Sequence, residues 1–181
     1  IASCLVGSEM CIRDRVSFPV LGGESNLKII YWIKNYIETF GIATILVPNI
    51  EETKASLHCR IGPAIDGGVI LSGHTDVVPV EGQDWYTDPF TLVKKDGKLF
   101  ARGSADMKGF IACCLATLPT LSKAHLKKPI YFAFSYDEEI GCLAAPELIE
   151  HIKKSYIENA TYAIIGAVSY THLTLPTKRI V

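Results

Sequence analysis

The chain has 181 residues, 49% hydrophobic, 20% charged and 9% aromatic, a balance that excludes disordered, collagenous and fibrous proteins. Eighteen basic and nineteen acidic side chains leave a net charge of −1, so nothing electrostatic points to nucleic acid or an anionic membrane. No apolar run approaches the roughly 18 residues of a membrane span, and the first fifteen residues, IASCLVGSEMCIRDR, lack the basic start and apolar stretch of a secretory signal.

Those fifteen residues also lack helical or alternating periodicity, and AVSYTHLTLPTKRIV (167–181) follows an apolar strand without turn chemistry. Both flanks resemble translated sequencing-adapter read-through. The expected organisation is therefore a non-native tail at 1–15, a folded body at 16–166 and a second non-native tail at 167–181.

Within the body, Ser25 or Asn26 is placed to cap a helix. Its apolar positions Leu27, Ile30, Tyr31, Ile33, Ile37 and Phe40 recur at three- and four-residue spacing, and Gly41 supplies the stop. ATILV (43–47) and ASLHCRI (55–61) read as strands, with Pro48 and Asn49 opening the loop between them. GGVILSG (67–73) is continuously apolar, as for a strand covered on both faces of a parallel sheet. TLVKKDGKLF (91–100) predicts a hairpin turning at Asp96-Gly97, a pair that tolerates the positive φ angles of such turns. A second helix is expected from about Met107 to Leu118, with Phe110, Cys113, Cys114 and Leu118 on one side and Pro119 near its end. PIYFAFS (129–135) predicts a central strand, Pro146 to Lys154 a third helix with proline in its first turn, and TYAIIG (161–166) a last strand. This alternation gives an α/β fold with a mostly parallel sheet and helices on both faces.

The six cysteines, at 4, 11, 59, 113, 114 and 142, form no CxxC pair. That suits neither a disulfide framework nor a structural zinc site. Buried reduced thiols and a cytoplasmic address are expected.

Chemistry-bearing residues gather at strand ends. GVILSGHTDVVPV places His74 and Asp76 directly after an apolar strand, two residues apart and on one face in extended chain. That pattern suits a metal-bound imidazole beside a supporting carboxylate; a solvated loop is the alternative. ARGSADMKG places Asp106 between a glycine-containing loop and a helix start, where a carboxylate could bridge two cations or cap the helix, with Gly103 and Gly109 allowing close backbone approach. FAFSYDEEIG ends a strand with Asp137, Glu138 and Glu139, which repel one another unless something positive is near or the turn is solvated. One histidine and several carboxylates at one sheet edge suit a hydrolytic pair of zinc ions held by nitrogen and oxygen.

SGHTDVVPVEGQDW, DGKLFARGSADMKGF and FAFSYDEEIGC, in this order and spacing, resemble the zinc-dependent family of aminoacylases, acetylornithine deacetylases, succinyl-diaminopimelate desuccinylases and related carboxypeptidases. SFPVLGGESNL, GQDWYTDPF, the Ser-Ala before Asp106 and YDEEIGCLAA lean towards its acetylornithine deacetylase branch. The resemblance covers residues 17–166 and implies that this body is the N-terminal part of a truncated zinc-peptidase-like catalytic domain. It further implies His74, Asp106 and Glu139 as metal ligands, with Asp106 bridging two Zn2+ (Co2+ as a substitute) and a cis or strained peptide after Asp106. Asp76 would be the carboxylate supporting His74, and Glu138 the general base.

The implied activity is hydrolysis of N2-acetyl-L-ornithine to ornithine and acetate in arginine biosynthesis, by a cytoplasmic homodimer acting on a small N-acyl amino acid. Two further ligands of the family pattern are missing: an acid just after TYAIIG, where Ala167 stands, and a histidine far downstream. The chain as written is thus expected to be an inactive fragment. His172 is not expected to be a ligand, and His58, His125 and His151, lacking suitable partners, read as ordinary surface or core residues. The alternatives are a desuccinylase or broad aminoacylase of the same family, and a non-catalytic α/β binding module.

Overall fold

The computed structural model describes residues 13–156 and 158–167. After a helical turn at 13–16, the elements are α1 (Leu27–Glu38), β1 (Thr44–Pro48), β2 (Ala55–Ile61), β3 (Val69–His74), β4 (Val93–Lys95), β5 (Lys98–Phe100), α2 (Lys108–Ala116), α3 (Leu118–Leu121), β6 (Ile130–Ser135), α4 (Ala145–Ser155) and β7 (Tyr162–Ile165). Expectations resting on residues 1–12 and 168–181, including His172, lie outside the described residues.

Five strands form one sheet in the order β1-β2-β6-β3-β7, and β4 and β5 form a separate hairpin. β2 runs antiparallel to β1 and β6, while β3 is parallel to β6 and β7, so β2 is the reversed strand of a mostly parallel sheet. Parallel register sets His74 opposite Ser135, which brings the turns leaving β3 and β6 side by side.

Alternation along the strands divides the two layers. Ala55, Leu57, Cys59 and Ile61 of β2 and Phe132 and Phe134 of β6 pack with Ile29, Ile30, Ile33 and Ile37 of α1 and Ile111, Cys114 and Leu115 of α2. Complete burial of a phenylalanine of this kind contributes about 1.5–3 kcal/mol. On the opposite face Ala133 and Val47 meet Leu148 of α4. That helix begins with Pro146 and Glu147 and ends with Lys153 and Lys154, charges that complement its dipole.

Several local expectations need correction. Asn26 is the N-cap residue of α1 but makes no side-chain cap bond. Its side chain instead accepts the Ala55 N–H, donates to the Ala55 carbonyl at 2.8 Å and reaches Thr75 Oγ1 at 3.0 Å, tying three segments together. Tyr31 faces solvent, because the buried stripe of α1 runs through Ile29, Ile30, Ile33 and Ile37. α2 ends at Ala116 and buries Ile111, Cys114 and Leu115 while Cys113 is exposed, since a nearly all-apolar helix offers no sequence cue to which side faces the sheet. Cys142 is exposed as well.

The first four residues of β3 are only half-buried and all four of β7 are exposed. Among the described residues β7 is the outermost strand at its end of the sheet, and between it and α4 lies an open groove of about 740 Å³ lined by Ile70, Ala133, Leu148, Ile152, Ala163 and Ile165.

Candidate active site

His74, the last residue of β3, is buried with its ring held at both nitrogens. Nδ1 lies 2.9 Å from the backbone carbonyl of Asp76. A carbonyl only accepts, so Nδ1 carries a hydrogen, and it is Nε2 that gives up its proton when the ring becomes neutral and offers a lone pair. Nε2 lies 3.2 Å from Asp106 Oδ1 and 3.6 Å from Glu138 Oε2. Burial disfavours the imidazolium, but Asp106, Asp76 and Glu138 outweigh it and hold the His74 pKa up at about 10. A site this acidic favours a positive charge at its centre.

Asp76 is fully buried, and its role is wider than support of the ring. Its carboxylate stands 3.5 Å from His74 Nδ1 and accepts the backbone N–H groups of Glu138 at 3.2 Å and Glu139 at 3.0 Å. Burial would raise its pKa, but the His74 and backbone hydrogen bonds prevail and lower it. One carboxylate thus joins the turn after β3 to the turn after β6.

Asp106 closes the loop before α2 and is joined to Met107 by a cis peptide bond. α2 is capped at Met107 without a side-chain cap bond, so Asp106 points to His74 instead of serving the helix end. The loop and helix touch at Gly109, where a Cβ would fall 2.1 Å from the Ser104 carbonyl oxygen. Glu138 and Glu139 follow Asp137, whose φ of +54° starts a tight turn. The Glu138 carbonyl accepts N–H bonds from Gly141 and Cys142, both at 3.0 Å.

One ligand atom from each of His74, Asp106 and Glu139 lies within 4.8 Å of the others. Imidazole nitrogen with two carboxylates is a donor set for a divalent cation. Glu138 is beside this trio at the rim. A small cavity of about 210 Å³ adjoins it, lined by Val78, Gln83, Arg102, Asp106 and Glu139 among others.

Several residues around the site carried no signal in the sequence. Arg102 is buried, donates to Gln83 and lies 5.2 Å from the Trp85 ring centre. Burial lowers its pKa although Glu139 and Asp106 are near. Lys108 is fully buried with Nζ donating to the Phe18 carbonyl at 2.5 Å, and burial pushes its pKa down to about 8 against the pull of Asp76. His58 and His151 are not partnerless, since their rings meet at 2.9 Å between β2 and α4.

The sequence profile of Peptidase family M20/M25/M40 matches residues 70–175, a span that contains the three motif clusters. The chain belongs to this family. Among its curated relatives, the acetylornithine deacetylase of Pasteurella multocida (strain Pm70) is 36% identical over 129 residues, covering 71% of this chain and 34% of that protein. That of Proteus mirabilis (strain HI4320) is 39% identical over 124 residues, covering 67% and 32%. The chain therefore spans about a third of the length of the curated relatives it matches.

The fold is shared with human carnosine dipeptidase 1 (TM-score 0.75, 21% identity, 93% of this chain and 40% of that one). It is shared too with the M20 metallo-carboxypeptidase Sso-CP2 of Sulfolobus solfataricus (TM-score 0.76, 20% identity, 90% and 37%). Membership of this metallopeptidase family implies a divalent metal, and the donor set of His74, Asp106 and Glu139 fits one. Among the described residues no helix is long and apolar enough to cross a membrane.

Proposed function

We propose that these residues belong to a zinc-dependent amide hydrolase that converts N2-acetyl-L-ornithine to ornithine and acetate. The observation that carries this reading is the convergence of His74, Asp106 and Glu139 within 4.8 Å with Glu138 beside them. The choice of acyl amino acid rests on identities of 36% and 39% to acetylornithine deacetylases.

His74, Asp106 and Glu139 would hold zinc, for which Co2+ can substitute, and Asp106 would be shared between two ions. Such a cation supplies Lewis acidity, which makes water a nucleophile near neutral pH and steadies charge on the acyl oxygen. The chain's own groups do the rest. Asp76 keeps the ring of His74 and the amides of Glu138 and Glu139 in one frame. Glu138 takes a proton from the attacking water and returns it to the departing amine. The complete protein is read as a cytoplasmic homodimer of arginine biosynthesis, and the 181-residue chain, with Ala167 where the family pattern places an acid, as inactive alone.

The test is acetate release from N-acetylornithine by the complete gene product, with succinyl-diaminopimelate as competitor and zinc content measured in parallel. Glu138→Gln is expected to retain zinc and lose at least about 100-fold in turnover. A Glu138→Gln protein with full turnover would overturn the assignment of the base, and preference for the succinyl substrate would overturn that of the substrate.

A further inference from the structure

Three adjacent carboxylates at 137–139 pose a problem that the ligand set does not solve. Two of them face the candidate metal site, and the first is turned away and buried, only 4% exposed. Asp137 Oδ2 accepts a bond from Lys54 Nζ at 2.5 Å, and Oδ1 accepts the Gly23 N–H at 2.9 Å. Its backbone carbonyl accepts the Leu143 N–H at 3.1 Å, closing the turn in which Glu138 and Glu139 stand. Both oxygens of the side chain are thus engaged by segments 83 and 114 residues away in sequence.

The anchor at the other end of the ion pair is itself fixed. The Lys54 N–H donates to Asn49 Oδ1 at 2.8 Å, and the Asn49 N–H donates to the Lys54 carbonyl at 3.0 Å. The next residue, Ala55, is bonded through both backbone groups to the buried Asn26 side chain. Lys54 therefore presents its ammonium from a rigid turn between β1 and β2, with its side chain only 13% exposed.

We propose that the Lys54–Asp137 pair is the positioning clamp of the Glu138–Glu139 turn, an inference that rests on the roles given above to those two glutamates. The turn is suspended between two carboxylates. Asp76 holds its amides from the side of His74, and Asp137 holds it from behind through Lys54 and Gly23. The pair also neutralises Asp137, so this carboxylate stays out of the ligand set and leaves any cation to His74, Asp106 and Glu139. Neither Lys54 nor Asp137 touches the reacting atoms; both act through the placement of their neighbours, where small displacements carry large penalties.

The experiment uses the full 181-residue chain and two readouts: amide hydrogen exchange without metal, and zinc affinity by competition with a chromophoric chelator. In Lys54→Met, exchange in the 137–143 segment is expected to rise about tenfold while β6 stays protected, and zinc affinity to fall about tenfold or more. Lys54→Arg, which restores the charge, should return both towards wild type. Because Lys54→Met leaves a buried carboxylate unpaired, the double variant Lys54→Met/Asp137→Asn guards against global unfolding. It should keep β6 protected and still loosen the 137–143 segment. Wild-type exchange in that segment of either variant would overturn the clamp. Should the wild-type chain bind no zinc, the ligand roles of His74, Asp106 and Glu139 are tested on the complete gene product, and the exchange arm still decides the clamp.

Discussion

Asp76 serves both halves of the site at once, since its charge faces the His74 ring while its oxygens receive the amides of Glu138 and Glu139. Asp76→Asn keeps the size but presents an amide to two N–H donors. Zinc affinity in a chelator competition should fall about 10- to 100-fold, as for groups that orient metal ligands, and an unchanged affinity would refute this role. A second prediction concerns His58, which is buried between His151 and the Tyr156 hydroxyl, with Ser155 3.2 Å from His151. Burial first, and the neighbouring His151 second, push the His58 pKa down to about 4 from 6.5. The unfolded chain therefore takes up a proton first as pH falls. The stabilising contribution is complete above about 6.5 and is lost progressively between about 6.5 and about 4. Thermal melts over pH 7.5 to 4.5 should thus show a shallower pH dependence for His58→Gln than for wild type, and parallel curves would contradict it. The proximity of His74, Asp106 and Glu139 was legible because each stands in a short motif, two of them directly after an apolar strand and Asp106 at the start of a helix. The sequence could not show the His58–His151 contact, because the partners are 93 residues apart and neither lies in a motif.

At the level of elements, the best-read feature was the one whose chemistry is local. The hairpin of β4 and β5 turns at Asp96 and Gly97 with φ of +51° and +72°, as their side chains permit. Gly97→Val puts a β-branched residue in that conformation and should cost about 1–2 kcal/mol in urea unfolding; a loss near zero would mean that the turn adapts. α2 was harder to read for an equally physical reason. KGFIACCLA is apolar on nearly every side, so its sheet-facing stripe of Ile111, Cys114 and Leu115 was set by tertiary packing. Asn26 misled in another way, because a residue at a helix start that suits a local cap has a side chain given over to β2 and Thr75.

Over the whole molecule, the alternation of helices and apolar runs was sufficient to predict a mostly parallel sheet, but not its order, because pairing depends on contacts between distant segments. Among the described residues, the exposed edge at β7 follows from that order. Open apolar edges invite pairing between chains, so the isolated 181-residue chain is expected to self-associate. Ile165→Lys, at a position 68% exposed beside the groove, should raise the monomer fraction in sedimentation at equal concentration, and no change would show that β7 is not the contact. The long spans of the site's bonds have a kinetic consequence. Gly23 to Asp137, Lys54 to Asp137 and Asp76 to Glu138 close loops of 114, 83 and 62 residues. Such contacts form late, after the entropy of closure has been met by earlier pairings. The site is therefore expected to mature with or after the β3–β6 register, which itself closes a loop of 61 residues, and a nascent chain released before β6 would carry His74 and Asp106 without the glutamates of the turn after β6.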